Sequence, residues 1–202
     1  QMAARDLRYS WFSTLLKSQK ATYIAIAHHQ DDAIETFFIN LIRGTGITGL
    51  QGISEKNSTI VRPLLCLNRF EIERYLSDKQ QKYREDSSNS SVKYLRNKIR
   101  LQLLPLLEEM NPNIKETIKK EIAILKETTT VFFHQIESVR KEIVYHNKGV
   151  VSINIDKLKK LTPLKIYLFE LLQPFGFTQI EAIILTLNTQ SGKQFFSTTH
   201  EL

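Results

Sequence analysis

Acidic and imidazole side chains crowd into one short stretch, AIAHHQDDAIETFFINLIRGTG, residues 25–46. It places His28 and His29 beside Asp31 and Asp32, with Glu35 following, where an apolar run gives way to a helical pattern. Carboxylates hold cationic ligands, and imidazole exchanges a proton near neutral pH. The stretch is therefore a candidate pocket for a cationic or nucleotide substrate.

Two other interpretations of these residues stay open. In the first, Asp32 is the N-cap of a helix and Glu35, three residues later, completes a capping box, with Asp31 as a further candidate cap. In the second, the cluster binds zinc or manganese. Residues 28 and 29 of an extended strand point to opposite sides, which makes joint chelation difficult, and no metal site is predicted.

Helical and strand patterns on either side predict how these residues are positioned. We expect a helix over residues 3–16, a buried parallel strand over 21–27, and a helix from Asp31 or Asp32 that ends at Gly44 and Gly46. The segment TIVRPLL predicts a strand, and NRFEIERYLSDKQ predicts a helix capped by Asn68. In parallel α/β sheets, ligands bind where strands end and helices begin, which is where the acidic stretch lies.

The second half of the chain has a different pattern. The polar segment EDSSNSS, residues 85–91, indicates a boundary, and we divide the chain into an α/β domain over 1–88 and a mainly helical region over 89–202. That region is predicted to be helical over 92–146, with breaks at Pro105 and at Asn111–Pro112, and then to form a strand near 150–155 and helices over 163–173 and 178–187.

Composition favours an anionic partner. The chain has 202 residues and a net charge of +7, and six basic side chains lie between residues 82 and 100 against two acidic ones. Such a basic patch is typical of nucleic-acid binding. The single cysteine, Cys66, excludes an internal disulfide, and the absence of a long apolar run predicts a cytoplasmic protein without a membrane span.

Four blocks in order give the sequence a family resemblance. HHQDDAIET, RGTGITGL, VRPLL and EDSSNSSVKYLRNKIRLQLLP resemble the HHxDDxxET, RGxGxxGL, RPLL and DxSN…RNxIRxxLLP blocks of the tRNA(Ile)-lysidine synthetase family. The resemblance is clear over residues 1–110 and thin beyond them. It implies the C-terminal part of an α/β, adenine-nucleotide alpha-hydrolase-like parallel-sheet domain, followed by a mainly helical domain.

Members of this family join lysine to C2 of the wobble cytidine of tRNA(Ile). ATP, with Mg²⁺, adenylates the cytidine, and the lysine ε-amine then displaces AMP, so the resemblance implies tRNA(Ile), free lysine, ATP and Mg²⁺ as ligands. The residues implied are His28, Asp32 and Glu35 for catalysis, Arg8, Asp31, Arg43, Gly44 and Gly46 for substrate, and Arg84, Arg96, Asn97 and Arg100 for tRNA. A homodimer is a further expectation.

Two alternatives to this activity remain. One is another tRNA-modifying enzyme of the same superfamily, such as a thiolase, although the lone Cys66 disfavours chemistry that carries sulfur on cysteine. The other is a non-catalytic RNA-binding fragment, because the SGGxDS loop that cradles ATP phosphates in the family does not occur in these residues. Without that loop, we expect the chain on its own neither to bind ATP stably nor to make lysidine.

The basic patch gives a prediction about RNA. Replacing Arg96 and Arg100 together by alanine should weaken tRNA binding and flatten its salt dependence, because each phosphate contact contributes counterion release. The measurement is tRNA affinity titrated against salt concentration. An unchanged affinity and slope would place the RNA site elsewhere.

Overall fold

The computed structural model describes residues 2–84, 91–189 and 192–202. Two compact units divide the chain, Gln1–Glu127 and Thr128–Leu202. The domain boundary predicted between residues 88 and 89 lies outside the described residues, as do Asp86, Ser88 and Asn89 of the fourth sequence block.

Helices dominate the first unit. Its elements in chain order are α1 (Met2–Ser18), β1 (Ile24–Ala25), α2 (Gln30–Arg43), α3 (Gly46–Leu50), β2 (Lys56–Asn57), β3 (Ile60–Val61), a 3₁₀ turn (Pro63–Cys66), α4 (Arg69–Asp78), α5 (Leu95–Lys98), a π-helical turn (Ile99–Leu103), α6 (Leu104–Met110) and the start of α7 (Ile114–Ile143).

A small mixed sheet lies in this unit. Its strand order is β1-β3-β2, with β1 parallel to β3 and β2 antiparallel to β3. The prediction of a buried strand over 21–27 is wrong in extent and in burial, because only Ile24–Ala25 is extended and Ala25 is exposed. Within the described residues β1 pairs with β3 alone, so no second neighbour covers it. TIVRPLL forms a strand only at Ile60–Val61, and the 3₁₀ turn begins at Pro63, which has no N–H for a ladder.

The helix predicted from Asn68 is confirmed together with its cap. Asn68 accepts a hydrogen bond from the backbone N–H of Glu71 at 2.9 Å, and Glu71 accepts one from the N–H of Asn68 at 2.7 Å. This reciprocal pair fixes the start of α4.

The break predicted at Pro105 is wrong. Pro105 lies in the first turn of α6, where its missing N–H is tolerated, and the π-helical turn just before it carries the helix across this point. The second predicted break is confirmed, since α6 ends at Met110 and α7 begins at Ile114.

The core of the first unit joins α2 to the helices after residue 95. Ile34 of α2, Ile99 of the π-helical turn, Leu104 of α6, and Ile118 and Ile122 of α7 are buried together. This packing fixes the acidic face of α2 against the helices that carry the basic block.

The second unit is built on the end of α7 and a hairpin. β4 (Val144–Asn147) pairs antiparallel with β5 (Val150–Ile153), followed by α8 (Ile155–Leu158), α9 (Leu164–Leu172), a 3₁₀ turn (Gln173–Phe175) and α10 (Ile180–Thr186). The strand near 150–155 and the two helices predicted for this region are confirmed. The helix predicted to reach residue 146 ends at Ile143, because Val144–Asn147 pairs with β5 as a strand. Leu168, Leu171, Phe177 and Ile183 lie in its buried core.

Among the described residues, no single helix has the length and apolar composition of a membrane span. The pair Leu164–Phe175 and Ile180–Thr186 meets those criteria only when taken together, and it is bent by 113°.

The shared core predicts a sharp difference between two neighbouring substitutions. Ile99→Ala, at a side chain only 1% exposed, should lower the free energy of unfolding by about 2–5 kcal/mol through lost contacts and a cavity. Leu101→Ala in the same turn, at a side chain 42% exposed, should change it by less than about 0.5 kcal/mol. Urea unfolding followed by circular dichroism measures both, and equal losses would contradict this core.

Candidate active site

The acidic stretch lies at the N-terminus of α2, which begins at Gln30, one or two residues earlier than predicted. His29 is at the N-cap position, and Asp32 accepts a hydrogen bond from the His29 backbone N–H at 3.0 Å. Asp32 is therefore the third helical residue and not the N-cap, and Glu35 lies outside the capping box. The reason is that the helix already begins at Gln30, which shifts every acid further into it.

Asp31 caps a different helix from the one that carries it. One of its oxygens, Oδ2, accepts a hydrogen bond from the backbone N–H of Arg69 at the start of α4, at 2.8 Å. The other, Oδ1, lies 3.3 Å from Nζ of Lys115. Burial alone would raise the pKa of Asp31, but the Arg69 N–H and the Lys115 charge outweigh it and hold the pKa below its ordinary value.

Glu35 is fully buried and holds two arginines from the far side of the core. Its Oε1 accepts a hydrogen bond from Nε of Arg100 at 2.6 Å, and its Oε2 lies 3.4 Å from Nε of Arg96. Arg100 also lies 3.9 Å from Asp32. Burial raises the pKa of Glu35, and the Arg100 hydrogen bond and charge offset this rise only in part.

Two of the three arginines predicted to bind tRNA, Arg96 and Arg100, therefore face α2. Arg96 donates a hydrogen bond to Oγ1 of Thr36 at 3.0 Å in addition to its ion pair, and buried Asn97 donates one to the Ser91 carbonyl at 2.6 Å. Their side chains organise the acidic site in this structure. The neighbouring Lys93 and Lys98 are exposed and better suited to contact phosphates.

A cavity of about 400 Å³ opens beside these acids. Its lining comes from α2, α4, α6, α7 and the π-helical turn. The polar lining residues are His29, Gln30, Asp31, Glu35, Asn68, Arg69, Glu73, Arg100, Glu108, Lys115 and Glu116. The apolar ones are Ile34, Phe70 and Leu104. Five carboxylates and three permanent cations in one cavity can bind both the ammonium and the carboxylate of a zwitterionic ligand.

Sequence reasoning missed half of this cavity. Arg69, Glu73, Glu108, Lys115 and Glu116 lie far from the acidic stretch along the chain. A local signal existed for Arg69 and Glu73, which are four residues apart at the capped start of α4 and pair at 2.6 Å. Nothing in the sequence pattern relates Glu108 or Lys115 to α2.

His28 contacts an arginine and not the acids. Its Nδ1 accepts a hydrogen bond from Nε of buried Arg62 at 3.0 Å, and Arg62 also donates to the Ser54 carbonyl at 2.7 Å. Because Nδ1 accepts from Arg62, Nε2 is the ring nitrogen that can donate a hydrogen bond. This geometry favours a hydrogen-bond donor role for His28, which the family resemblance implies for catalysis.

The remaining predicted residues lie away from this cavity. Arg8 is exposed on α1, Arg43 is exposed at the end of α2, and Arg84 is exposed after α4. Gly44 ends α2 in the left-handed conformation, with φ of 65°, and Gly46 has φ of 71°. These two glycines therefore have a conformational reason for their positions.

Comparison with known proteins identifies the family. A PP-loop domain model matches residues 1–107, and a TilS substrate binding domain model matches residues 146–202. The chain belongs to the tRNA(Ile)-lysidine synthetase family of PP-loop proteins. The family resemblance of the sequence is thereby confirmed, and the PP-loop domain makes the fold class α/β.

Several curated relatives are named tRNA(Ile)-lysidine synthase. The one from Bacteroides thetaiotaomicron is 46% identical over 199 residues, covering 98% of this chain and 46% of the relative. That from Parabacteroides distasonis is 42% identical over 204 residues, covering 100% and 46%, and that from Porphyromonas gingivalis (strain ATCC 33277) is 41% identical over 207 residues, covering 100% and 44%. The chain thus spans a little under half the length of these family members.

Two of the family's sequence blocks meet at the acidic cavity. The HHxDDxxET block supplies Asp31 and Glu35, and the RNxIR block supplies Arg100, which holds Glu35. The RPLL block supplies Arg62, which holds His28. Residues of different sequence blocks therefore contact each other in pairs.

The buried pair gives a prediction with a pH signature. Arg100→Met should lower the free energy of unfolding near neutral pH by about 3–5 kcal/mol, because it leaves the Glu35 carboxylate buried without its main partner. The pKa of Glu35 is raised in the folded state, so the neutral carboxyl group stabilises the fold at pH values below the ordinary pKa of glutamate. This stabilisation is lost as the pH rises through the folded-state pKa. The loss should therefore be smaller at pH 4 than at pH 8.

Urea unfolding at the two pH values measures this difference. Glu35→Gln combined with Arg100→Met should recover part of the stability, since no buried charge remains. A loss that is independent of pH and unchanged in the double variant would contradict the pairing.

Proposed function

We propose that this chain is the lysine-binding part of a tRNA(Ile)-lysidine synthase. The observation that carries the proposal is the cavity beside α2, where Asp31 and Glu35 face Arg69, Arg100 and Lys115. Free lysine has two ammonium groups and one carboxylate, so it needs acids and a cation within one small site. The names of the relatives support the same ligand.

In the proposed reaction, lysine is joined to C2 of the wobble cytidine of tRNA(Ile), which changes codon recognition from AUG to AUA. ATP transfers AMP to the cytidine O2 with release of pyrophosphate. The ε-amine of lysine then adds at C2, the C2–O2 bond breaks with departure of AMP, and the amine gives up a proton. The amine must be neutral when it attacks, so a nearby carboxylate is needed as proton acceptor.

Among the residues of this chain, we assign proton acceptance to Glu35 and Asp32. Burial raises the pKa of Glu35, which makes its carboxylate a stronger base than an exposed one. Asp32 lies within 3.9 Å of Arg100, which also holds Glu35. His28 is assigned to donate a hydrogen bond from Nε2 to the nucleotide.

A second cavity adjoins the acidic cavity at α2, which favours a reaction in which two substrates meet there. It measures about 690 Å³ and shares Gln30 and Ile34 with the acidic cavity. Its other lining residues include Arg62, Lys119 and Lys126 over an apolar floor, which suits a nucleobase and its phosphate. We assign the nucleotide of tRNA to this side and lysine to the other.

ATP is assigned as a substrate with Mg²⁺ as its companion ion. In the described residues, no group of three or more His, Cys, Asp and Glu side chains forms a metal site. A Mg²⁺ ion that accompanies ATP takes most of its ligands from nucleotide phosphates and water. The tRNA is assigned to the basic residues near 84–100, with Lys93 and Lys98 as its exposed phosphate contacts.

The proposal is tested by lysine incorporation into tRNA(Ile) with a full-length protein that contains this sequence. Asp32→Asn should abolish incorporation while the melting temperature changes little, because the asparagine oxygen can still accept the His29 N–H. Asp31→Asn should raise KM for lysine. Asp78→Asn at the end of α4 is the matched control and should behave as the unmodified protein.

Full incorporation by the Asp32→Asn variant would assign Asp32 to the helix start alone. Incorporation of sulfur in place of lysine would support the thiolase alternative. Tight tRNA binding without any incorporation by the unmodified full-length protein would support a non-catalytic RNA-binding role.

A further inference from the structure

Each carboxylate that lines the acidic cavity already holds a partner from the chain itself. Glu35 holds Arg100, Glu73 holds Arg69, and Glu116 accepts a hydrogen bond from Gln30. Asp31 and Glu108 share the single ammonium of Lys115, whose Nζ lies 3.3 Å from Asp31 and 3.0 Å from Glu108. An ammonium that binds between Asp31 and Glu108 must therefore take the place of Lys115.

Lys115 is more easily exchanged than Arg100. Its side chain is 42% exposed, while that of Arg100 is 23% exposed and bound to Glu35 at 2.6 Å. A lysine side chain is a flexible stem with one compact charge, and it leaves a carboxylate without breaking a two-point contact. Exposed ion pairs of this kind also contribute little to stability.

A second observation shows that the cavity has unmet hydrogen-bonding capacity. Within the described part of the chain, two buried side-chain atoms have no hydrogen-bond partner, and both belong to residues that line this cavity. They are Nδ1 of His29, which lies 3.6 Å from Oδ2 of Asp31, and Oε2 of Glu35, which lies 3.4 Å from Nε of Arg96. Buried polar atoms without partners are rare, and a polar ligand is one way to satisfy them.

We infer that Asp31 and Glu108 form the subsite for the α-ammonium of the substrate lysine, and that Lys115 occupies it until lysine arrives. The inference rests on the proposed function and adds a residue, Glu108, and a displacement step to it. The ammonium of Lys115 marks the position, because it is the same chemical group as the one that replaces it.

The α-ammonium fits this subsite better than the ε-amine does. Burial alone lowers the pKa of Lys115, but the hydrogen bond to Glu108 and the charge of Asp31 raise it above its ordinary value. The pair of acids thus favours a charged ammonium. The ε-amine has to become neutral to react, and the α-ammonium stays charged throughout, so the two ends of lysine need different surroundings.

The inference also explains how the cavity discriminates. A neutral ligand gains nothing from Asp31 and Glu108, because it cannot replace the Lys115 charge. A ligand with an α-ammonium forms ion pairs with Asp31 and Glu108 that replace those of Lys115. Asp31 and Glu108 therefore favour ligands that carry an α-ammonium, and Lys115 competes only with those ligands.

The test is calorimetry on this chain with lysine, norleucine and 6-aminohexanoate. Norleucine lacks the ε-amine, and 6-aminohexanoate lacks the α-amine. Lys115→Met removes the competing ammonium, so it should tighten binding of lysine and norleucine by about two- to fivefold, the range expected for one exposed ion pair. Glu108→Gln should weaken both by a similar factor, and neither variant should alter binding of 6-aminohexanoate.

Lys120→Met is the matched control, since Lys120 is also on α7, is exposed and lines neither the acidic cavity nor the second cavity. It should leave all three affinities unchanged, and the circular dichroism spectrum of each variant should match that of the unmodified chain. Weaker or unchanged lysine binding by Lys115→Met would overturn the subsite and leave the proposed function standing. Absence of lysine binding in every variant would overturn both.

Discussion

The buried carboxylate of Glu35 is the constraint on which the rest of the site depends. A charge with a side chain only 1% exposed needs partners, and they come from Arg100 and Arg96, 65 and 61 positions further along the chain. To bring them into place, α5, the π-helical turn and α6 must pack against α2 over Ile34 and Ile99. The ion pairs and the apolar core thus specify the same arrangement of helices.

The same arrangement explains why the acids of the HHxDDxxET block have different tasks. Asp32 serves the start of α2, Asp31 serves the start of α4, and Glu35 anchors the arginines. Each carboxylate therefore contributes to the fold and also faces, or adjoins, the cavity. Capping and ligand binding are therefore compatible for this stretch, because a carboxylate that holds a backbone N–H or an arginine can also face the cavity.

Local patterns made part of this structure predictable. Asn68 and Glu71 indicate a capped helix, and Gly44 indicates a helix end. The strand near 150–155 and the two helices after it agree with the pattern of apolar residues in the sequence. The blocks identified the family and placed Asp31 and Glu35 in a site. The strand was predicted to be longer and more buried than it is, because an apolar run such as 21–27 predicts a buried strand whatever its tertiary surroundings are. Glu108 and Lys115 were missed because only tertiary packing brings α6 and α7 to α2.

We propose that the cavity beside α2 binds free lysine between acids and cations. A crystal structure of this chain with saturating lysine tests it most directly. We expect lysine in that cavity, with one ammonium between Asp31 and Glu108 and the Lys115 side chain moved away. Lysine bound at another surface, or a cavity with Lys115 still between the two acids at saturating ligand, would contradict the claim.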